Sequence, residues 1–417
     1  MFDVIMRQLD ETASALADCP RDLSDAQRID LIRKIEELHC IGSAAQATTA
    51  VDLDESQRAA QVAAGARAER VGEGVAEQLA LARRESPHKG SRLLGLAKVL
   101  AGEMPHTLAL MRQGRLNEWR ATILARETAC LALEHRAEID RRLCATGEAA
   151  TMSDAALARA AKKLACELDA AAIVARARKA ETERHVSIRP APDTMCWVTA
   201  LLPVTAGVGV YAALLAAAKA AVASGDERGK GQVMADTLVA RVTGASAAET
   251  PRVEVKLVMT DRSLLGQADD AAHLAGYGPV PAPWARALVK DATAQARAFI
   301  RRLYVAPATG ELIAMDSRAR LAPQGLADLV ATRDQDLCRT PWCGAPIAQT
   351  DHAHAFQAGG ETSAANLQGL CQRCNLAKQA PGWFATPVIT QVRHTIETTT
   401  PTGHRHRSRA PAQLVGR

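Results

Sequence analysis

Apolar residues in the first 180 positions recur at intervals of three and four. Ile29, Ile32, Ile35 and Leu38 share one helical face, and the same period runs on through the alanine-rich 44–66 stretch. A polar segment, ESPHKGS at 85–91, interrupts it. Helical patterning resumes in SRLLGLAKVLAG and PHTLALMRQG, where Pro105 suits a first helical turn and Gly114 a helix stop. NEWRATILARETACLAL follows, with Asn117 as the expected N-cap. The helix–Gly114–helix run also fits a helix-turn-helix presenting Arg112, Arg115 and Arg120. Ordinary packing accounts for the same pattern in any helical protein and is preferred.

After about residue 181 the period falls to two. HVSIRPAPDTMCWVTALLPV alternates like a strand pair with prolines at its turns. An alanine-rich helix (YAALLAAAKAAVAS), a loop at 225–232, a further helix (MADTLVARVTG) and a strand at 253–260 (VEVKLVMT) are expected next. Gly225, Gly229 and Gly231 do not make a phosphate loop, since no strand leads in and Lys230 is not followed by Ser or Thr. GYGPVPAPWA at 276–285 reads as a turn-rich connector before a helix. At the C-terminus ITQVRHTIETTT alternates, Pro401-Thr402-Gly403 makes a turn, and HRHRSRA returns as a second strand with Arg405, Arg407 and Arg409 on one face. Such a ribbon would follow a DNA backbone, and truncation after Trp383 is expected to weaken DNA binding in a salt-dependent way. The expected organisation is a helical region 1–180, an α+β continuation 181–325, a compact module 326–385 and a basic hairpin or tail 386–417. The fold class is mainly α with a small α+β part.

Composition narrows the classes. A chain of 417 residues with 48% hydrophobic content is long enough for two or three domains. A net charge of +5 permits a nucleic-acid partner without requiring one. The N-terminus lacks the uninterrupted apolar core of a signal peptide. The apolar run around 198–223 is broken by Pro203, Gly207, Gly209 and Lys219, so no membrane span is expected and a cytoplasmic location is. Ten cysteines in a reducing compartment do not form a disulfide framework. Cys19, Cys40, Cys130, Cys144, Cys166 and Cys196 are scattered and read as small hydrophobes.

The other four are clustered. Cys338-x4-Cys343 and Cys371-x2-Cys374 are two close thiolate pairs, the usual sequence form of a tetrahedral zinc site. With four sulfur ligands the zinc has no open position, so its expected role is structural. Between and beside the pairs lie Asp351-His352, Asn366 and Asn375, a carboxylate, an imidazole and two amides suited to a second, oxygen-rich site. An imidazole titrates near neutral pH, so His352 is the candidate general base for phosphodiester hydrolysis. Neighbours on a strand point to opposite faces, so using Asp351 and His352 together calls for a distorted or looped backbone.

Asp351-His352, Gly359-Gly360, Asn366-Leu367 and Cys371-x2-Cys374-Asn375-x2-Lys378 resemble the HNH, or ββα-metal, nucleases over about fifty residues. Upstream, PHTLALMRQGRLNEWRATILARET, GDERGKGQVMADTLVARVTG and GYGPVPAPWAR resemble the helical domain of unknown function that precedes HNH modules in actinobacterial proteins. That second resemblance spans most of 25–325. Together they imply a C-terminal ββα-metal (HNH) module with a four-cysteine zinc site, acting as an endonuclease on DNA, double-stranded by preference. The resemblance implies Asp351 and Asn375 as ligands of a catalytic divalent ion, and Asn366 as the residue that hydrogen-bonds backbone and orients His352. Carboxylate and amide oxygens suit Mg²⁺ or Mn²⁺. Asn375 stands where the motif's last histidine would be, which turns the expected ion toward Mg²⁺ or Mn²⁺ rather than a metal that prefers nitrogen ligands. Lys378 is expected to contact phosphate, and His354 is an added ligand or, by preference, a surface residue. A homodimer would let single centres cut both strands. The alternatives are a zinc-stabilised DNA-binding protein without cleavage, or a scaffold whose main unit is the helical region.

Overall fold

Helical patterning is realised through residue 182. In this computed structural model, which describes residues 1–244, 256–294, 316–317, 321–388 and 393–411, the chain forms α1 (Phe2–Ala17), α2 (Asp25–Ala63), α3 (Val75–Ala82), α4 (Pro87–Gly102), α5 (Pro105–Arg112), α6 (Glu118–Glu127), α7 (Leu133–Cys144), α8 (Asp154–Leu168) and α9 (Ala170–Thr182). Pro105 opens α5, Gly114 adopts φ +75° after it, and the Asn117 side chain caps α6 by accepting the Arg120 N–H at 3.0 Å. The polar 85–91 segment is not a clean break, because α4 begins inside it at Pro87. Instead the chain turns at 64–74, where Gly65, Gly72 and Gly74 have positive φ.

The chain divides into two compact units, Met1–Glu55 with Leu93–Ile173, and Ser56–Arg92 with Val174–Arg417. In the first, Leu100, Met104, Met111, Leu116, Leu124, Ile139 and Leu157 form the core, with Ala121, Ala161 and Ala165 filling it at small volume. A buried carboxylate orders it: Asp140 accepts the His106 and Thr107 N–H groups at the start of α5, each at 2.8 Å. These are donors that a helix start leaves unsatisfied, and its dipole favours the negative charge. Arg120 differs from the expectation of an exposed DNA-facing residue. Its guanidinium donates to the carbonyls of Ala149 and Ala150, and its side chain is 13% exposed. It staples α6 to the following turn, which leaves the helix-turn-helix reading one basic residue short.

The second unit carries the β structure. β1 (His185–Ala191) and β2 (Met195–Leu201) form an antiparallel hairpin, turned by Asp193 and Thr194 at positive φ. α10 (Val204–Ala223) and α11 (Lys230–Thr243) follow. α10 overturns the expectation that no segment reaches membrane-span length. Its 20 residues have a mean hydropathy of 1.7, enough in length and composition, and they are mostly exposed. Pro203 is the N-cap rather than a break, and Gly207, Gly209 and Lys219 lie within continuous helix. The glycine-rich 225–231 stretch follows a helix rather than a strand, and Arg228 there pairs with Asp226 and Asp236.

Next come β3 (Leu257–Val258), α12 (Asp261–Leu264), β4 (Ala272–Leu274), β5 (Gly278–Val280) and α13 (Ala282–Ala294). Of the strand expected at 253–260, residues 253–255 lie outside the described residues. The 276–285 segment is more than a connector: β5 pairs with β4, Ala272 opposite Val280, and both bury with Ala285.

The last part comprises β6 (Asp316–Ser317), α14 (Gln324–Arg333), β7 (Gln349–His352), β8 (Thr362–Ser363), β9 (Leu367–Leu370), α15 (Gln372–Lys378), β10 (Phe384–Val388), β11 (Thr395–Thr399) and β12 (Arg405–Arg409). β7 and β9 pair antiparallel, Gln349 opposite Leu370 and His352 opposite Leu367, and α15 follows at once. This is a ββα unit. α14 seals it by burying Leu326 and Val330 against Ala364 and Leu367. The C-terminal ribbon has three strands in the order β10-β11-β12, one more than expected. Residues 389–392 of its alternating segment and 412–417 of the tail lie outside the described residues.

Candidate metal centres

The thiol cluster is assembled by two turns. A bridge between Leu337 and Pro346 closes the loop that carries Cys338 and Cys343. Cys371 is the N-cap of α15, its sulfur accepting the Cys374 N–H at 3.4 Å, and Cys374 lies in the helix's first turn. All four sulfurs lie within 4.8 Å of one another, with Cys343 3.7 Å from Cys371 and 3.6 Å from Cys374. Charge cannot be shared freely among them. Hydrogen bonds from Cys343 and Cys374 hold the Cys338 thiol far below its usual range, and the same anion pushes Cys343 and Cys374 up. Four adjacent thiolates therefore need a cation between them, and this donor set fits Zn²⁺.

The second centre lies on β7 and α15. Alternation along β7 puts Gln349 and Asp351 on the side facing α15, while His352 turns away. Two rungs join strand and helix. The Lys378 ammonium donates to Asp351 Oδ2 and to the His352 carbonyl, and the Asn375 amide donates to Gln349 Oε1. The distorted backbone expected at Asp351-His352 is not found, since ladder pairing continues through both residues. Lys378, the expected phosphate contact, is half-buried against Asp351. Gln349 is a partner that the sequence reading misses, although it sits two residues before Asp351 and a period of two places it on the same face. An ammonium held by a carboxylate and a carbonyl acts as a stand-in cation. With the hard oxygens of Asp351 and Asn375 at hand, the donor chemistry of this corner suits Mg²⁺ or Mn²⁺.

On the other side of β7, His352 Nε2 lies 2.8 Å from the Thr362 hydroxyl, and its ring stacks at a tilt 5.5 Å from Phe356. Asn366 braces the turn between. Its Oδ1 accepts the His354 N–H at 2.9 Å, and its Nδ2 donates to the carbonyls of His354 and Glu361 at 3.0 and 2.8 Å. That brace needs Gly360, because a Cβ there would meet the His354 carbonyl oxygen at 1.9 Å. The His354 side chain is exposed. Thr362 and Phe356 carry no sequence signal, because only folding brings them to His352.

Three further features hold the module. Asp334, fully buried, pairs with Arg333 at 2.8 Å and Arg339 at 3.2 Å and accepts the Gly369 N–H at 2.9 Å. Arg339 reaches on to the Ser408 carbonyl at 2.8 Å, tying β12 to the knuckle. Burial beside Arg333 and Arg339 pushes the His394 imidazole down to about 4. Last, α15 docks on the segment 70–92. Arg373 donates to Glu77 at 2.8 Å and also contacts Ser91, and Trp383 packs with Leu81 and Ala380. A Cβ on Gly74 would stand 2.4 Å from Trp383 Nε1, so this approach requires glycine.

Arg405, Arg407 and Arg409 are exposed, while His406 and Ser408 between them are half-buried. The sheet face they share includes Glu397, which pairs with Arg407 at 2.7 Å and Arg405 at 3.7 Å. The opposite face carries Ile396, which packs with Ala353 of the ββα unit. The arginines therefore project away from the module rather than toward its metal corner. Truncation after Trp383 would also strip Arg339 of its β12 partners, so it does not isolate their charge. Replacing all three with Gln does. If they contact phosphates, the slope of log affinity against log salt should flatten by up to about 0.9 per lost contact. An unchanged slope would exclude them.

A ββα unit with a four-thiol knuckle and an Asp-His strand end defines an HNH-type module. Residues 338–380 match the HNH endonuclease family, and residues 38–334 match a domain of unknown function, DUF222. The second match covers more than half of the chain, so the protein belongs to the DUF222 family and carries an HNH endonuclease domain at its C-terminal side. No curated protein and no solved structure matches the chain.

Proposed function

We propose that this protein is a divalent-ion-dependent endonuclease that hydrolyses phosphodiester bonds in double-stranded DNA, with His352 as general base. The observation that carries the reading is the HNH endonuclease match over residues 338–380, within which β7 ends in Asp351, facing α15, and His352, facing Thr362. His352 takes the proton from the attacking water while Thr362 and Phe356 fix its ring. Asn366 keeps the turn after His352 from flexing and so preserves that aim. Asp351 and Asn375 would hold Mg²⁺ or Mn²⁺, which when bound supplies charge stabilisation to phosphate oxygens. The zinc cluster shapes the start of α15 and does no chemistry. Cutting both strands would require two chains or two successive nicks, and a homodimer is the simpler arrangement. A cytoplasmic location fits ten cysteines none of which is in a disulfide.

Plasmid nicking in Mg²⁺ and in Mn²⁺ tests this. His352→Ala should lower the cleavage rate by roughly 10²- to 10⁴-fold, with DNA affinity retained. Equal, metal-independent rates for wild type and variant would sink the enzyme reading and favour a zinc-stabilised DNA-binding protein.

A further inference from the structure

The Asp351 corner is already engaged by a cation of the chain's own. Lys378 Nζ reaches both Asp351 Oδ2 and the His352 carbonyl, and the pair is largely shielded, with side chains 13% and 21% exposed. Asn375, one helical turn before Lys378, is tied to Gln349 by its amide nitrogen, and among the described residues its Oδ1 has only a long 3.5 Å contact from Gln379. The second oxygen donor is therefore presented while the first is neutralised. A divalent ion on Asp351 and an ammonium at the same oxygen would repel at contact distance in a partly desolvated corner, where like charges cost most. The two cannot share the seat.

We propose that Lys378 is a resident counter-ion that competes with the catalytic divalent ion for Asp351, and that its displacement frees the ammonium for the phosphate of bound DNA. This rests on the reading of Asp351 as a ligand. Without a divalent ion, Lys378 neutralises Asp351 and ties α15 to β7, so the corner stays ordered. With the ion bound, the ammonium is expelled from a carboxylate whose charge is now satisfied. A phosphate then offers it a new partner, which links metal loading to DNA engagement. The arrangement weakens metal affinity in the DNA-free protein and restores it when DNA takes up the lysine. By linkage, DNA should tighten metal binding by the factor that metal tightens DNA binding.

Mn²⁺ binding to the zinc-loaded, DNA-free full chain, followed by the electron paramagnetic resonance of free Mn²⁺, tests this without any activity. Lys378→Met keeps the stem and removes the charge. It should bind Mn²⁺ about fivefold more tightly than wild type, equivalent to ~1 kcal/mol for a partly shielded ion pair. Lys378→Arg should stay at or below wild-type affinity, and Lys378→Gln serves in place of Met if Met disturbs folding, judged by retained zinc. In an Asp351→Asn background Lys378→Met should change nothing. If Asp351→Asn weakens Mn²⁺ binding but neither neutral Lys378 variant strengthens it, the competition is refuted while the ligand assignment stands. If Asp351→Asn leaves Mn²⁺ binding at the wild-type level, the ligand assignment falls and the competition falls with it.

Discussion

Stripping the zinc should unfold the ββα module. Structural zinc in small domains contributes on the order of 10 kcal/mol of apparent folding free energy, comparable to the whole stability of a typical domain. Here the dependence is visible in what the ion would hold. The loop from Cys338 to Cys343 has Trp342 at a positive φ of 61°, an uncommon conformation for a bulky residue, and no long hydrophobic run of its own. Cys338 and Cys374 are buried with Leu370 as a cluster made mostly of the ligands themselves. Without the ion, four sulfurs within 4.8 Å of one another have no common ligand to tie them, and the start of α15 loses its anchor. Asn375 and Lys378 then lose their aim at β7. The expected result is one zinc per chain in purified protein. Removal by a strong chelator, or Cys338→Ser with Cys374→Ser, should abolish the module's cooperative melting and open residues 338–380 to protease. A verified zinc-free protein with an unchanged melt and protease pattern would show that the thiols are a redox group or bystanders. The helical unit around Leu100, Met111 and Ile139 shares none of these residues and should keep its helical circular dichroism.

The module is legible in the sequence because its chemistry is local. Cys338-x4-Cys343, Cys371-x2-Cys374 and the Asp351-His352 pair are fixed by spacing, and alternation along four residues is enough to set Asp351 and His352 on different sides of β7. What stays hidden depends on long-range approach. Thr362 reaches His352, and Glu77 reaches Arg373 from 296 residues away. Neither carries a spacing rule. Helices are legible where caps mark them, as at Pro105, Gly114 and Asn117. Reading fails where one residue type serves two contexts. Pro203 reads as a break in the apolar run, yet it is the cap that starts α10. Arg120 lies in a basic stretch and reads as exposed, yet its guanidinium is spent on backbone carbonyls. The tie from Lys378 to Asp351 is likewise absent from the spacing, because only folding brings β7 and α15 face to face.

Asp334→Ala should be the most damaging single substitution in the module outside the zinc ligands. Its carboxylate pairs with both Arg333 and Arg339, which are 5% and 4% exposed. Burial already lowers the Arg339 guanidinium from its usual value, with Asp334 opposing that shift. Removing one partner of a buried ion pair typically costs about 3–5 kcal/mol, because the other charge is left uncompensated. Here two buried cations lose the carboxylate they share, so the upper end applies. Asp334→Asn keeps an oxygen for one arginine and should cost less. Arg339→Met should cost less again, since Asp334 would retain Arg333 and the Gly369 N–H. Urea unfolding followed by Trp383 fluorescence, with the other four tryptophans replaced by Phe in every variant, would give this order. A smaller loss for Asp334→Ala than for Arg339→Met would mean that the triad's charges are not what holds it. The consequence reaches the site through Gly369, which sits in β9 opposite Thr350 of β7 and whose N–H is held by Asp334. Loosening that bond loosens the ladder that sets the spacing between Asp351 and α15. Asp334→Ala protein that remains folded at low temperature should therefore bind Mn²⁺ more weakly than wild type, although Asp334 is not among the proposed ligands of that ion.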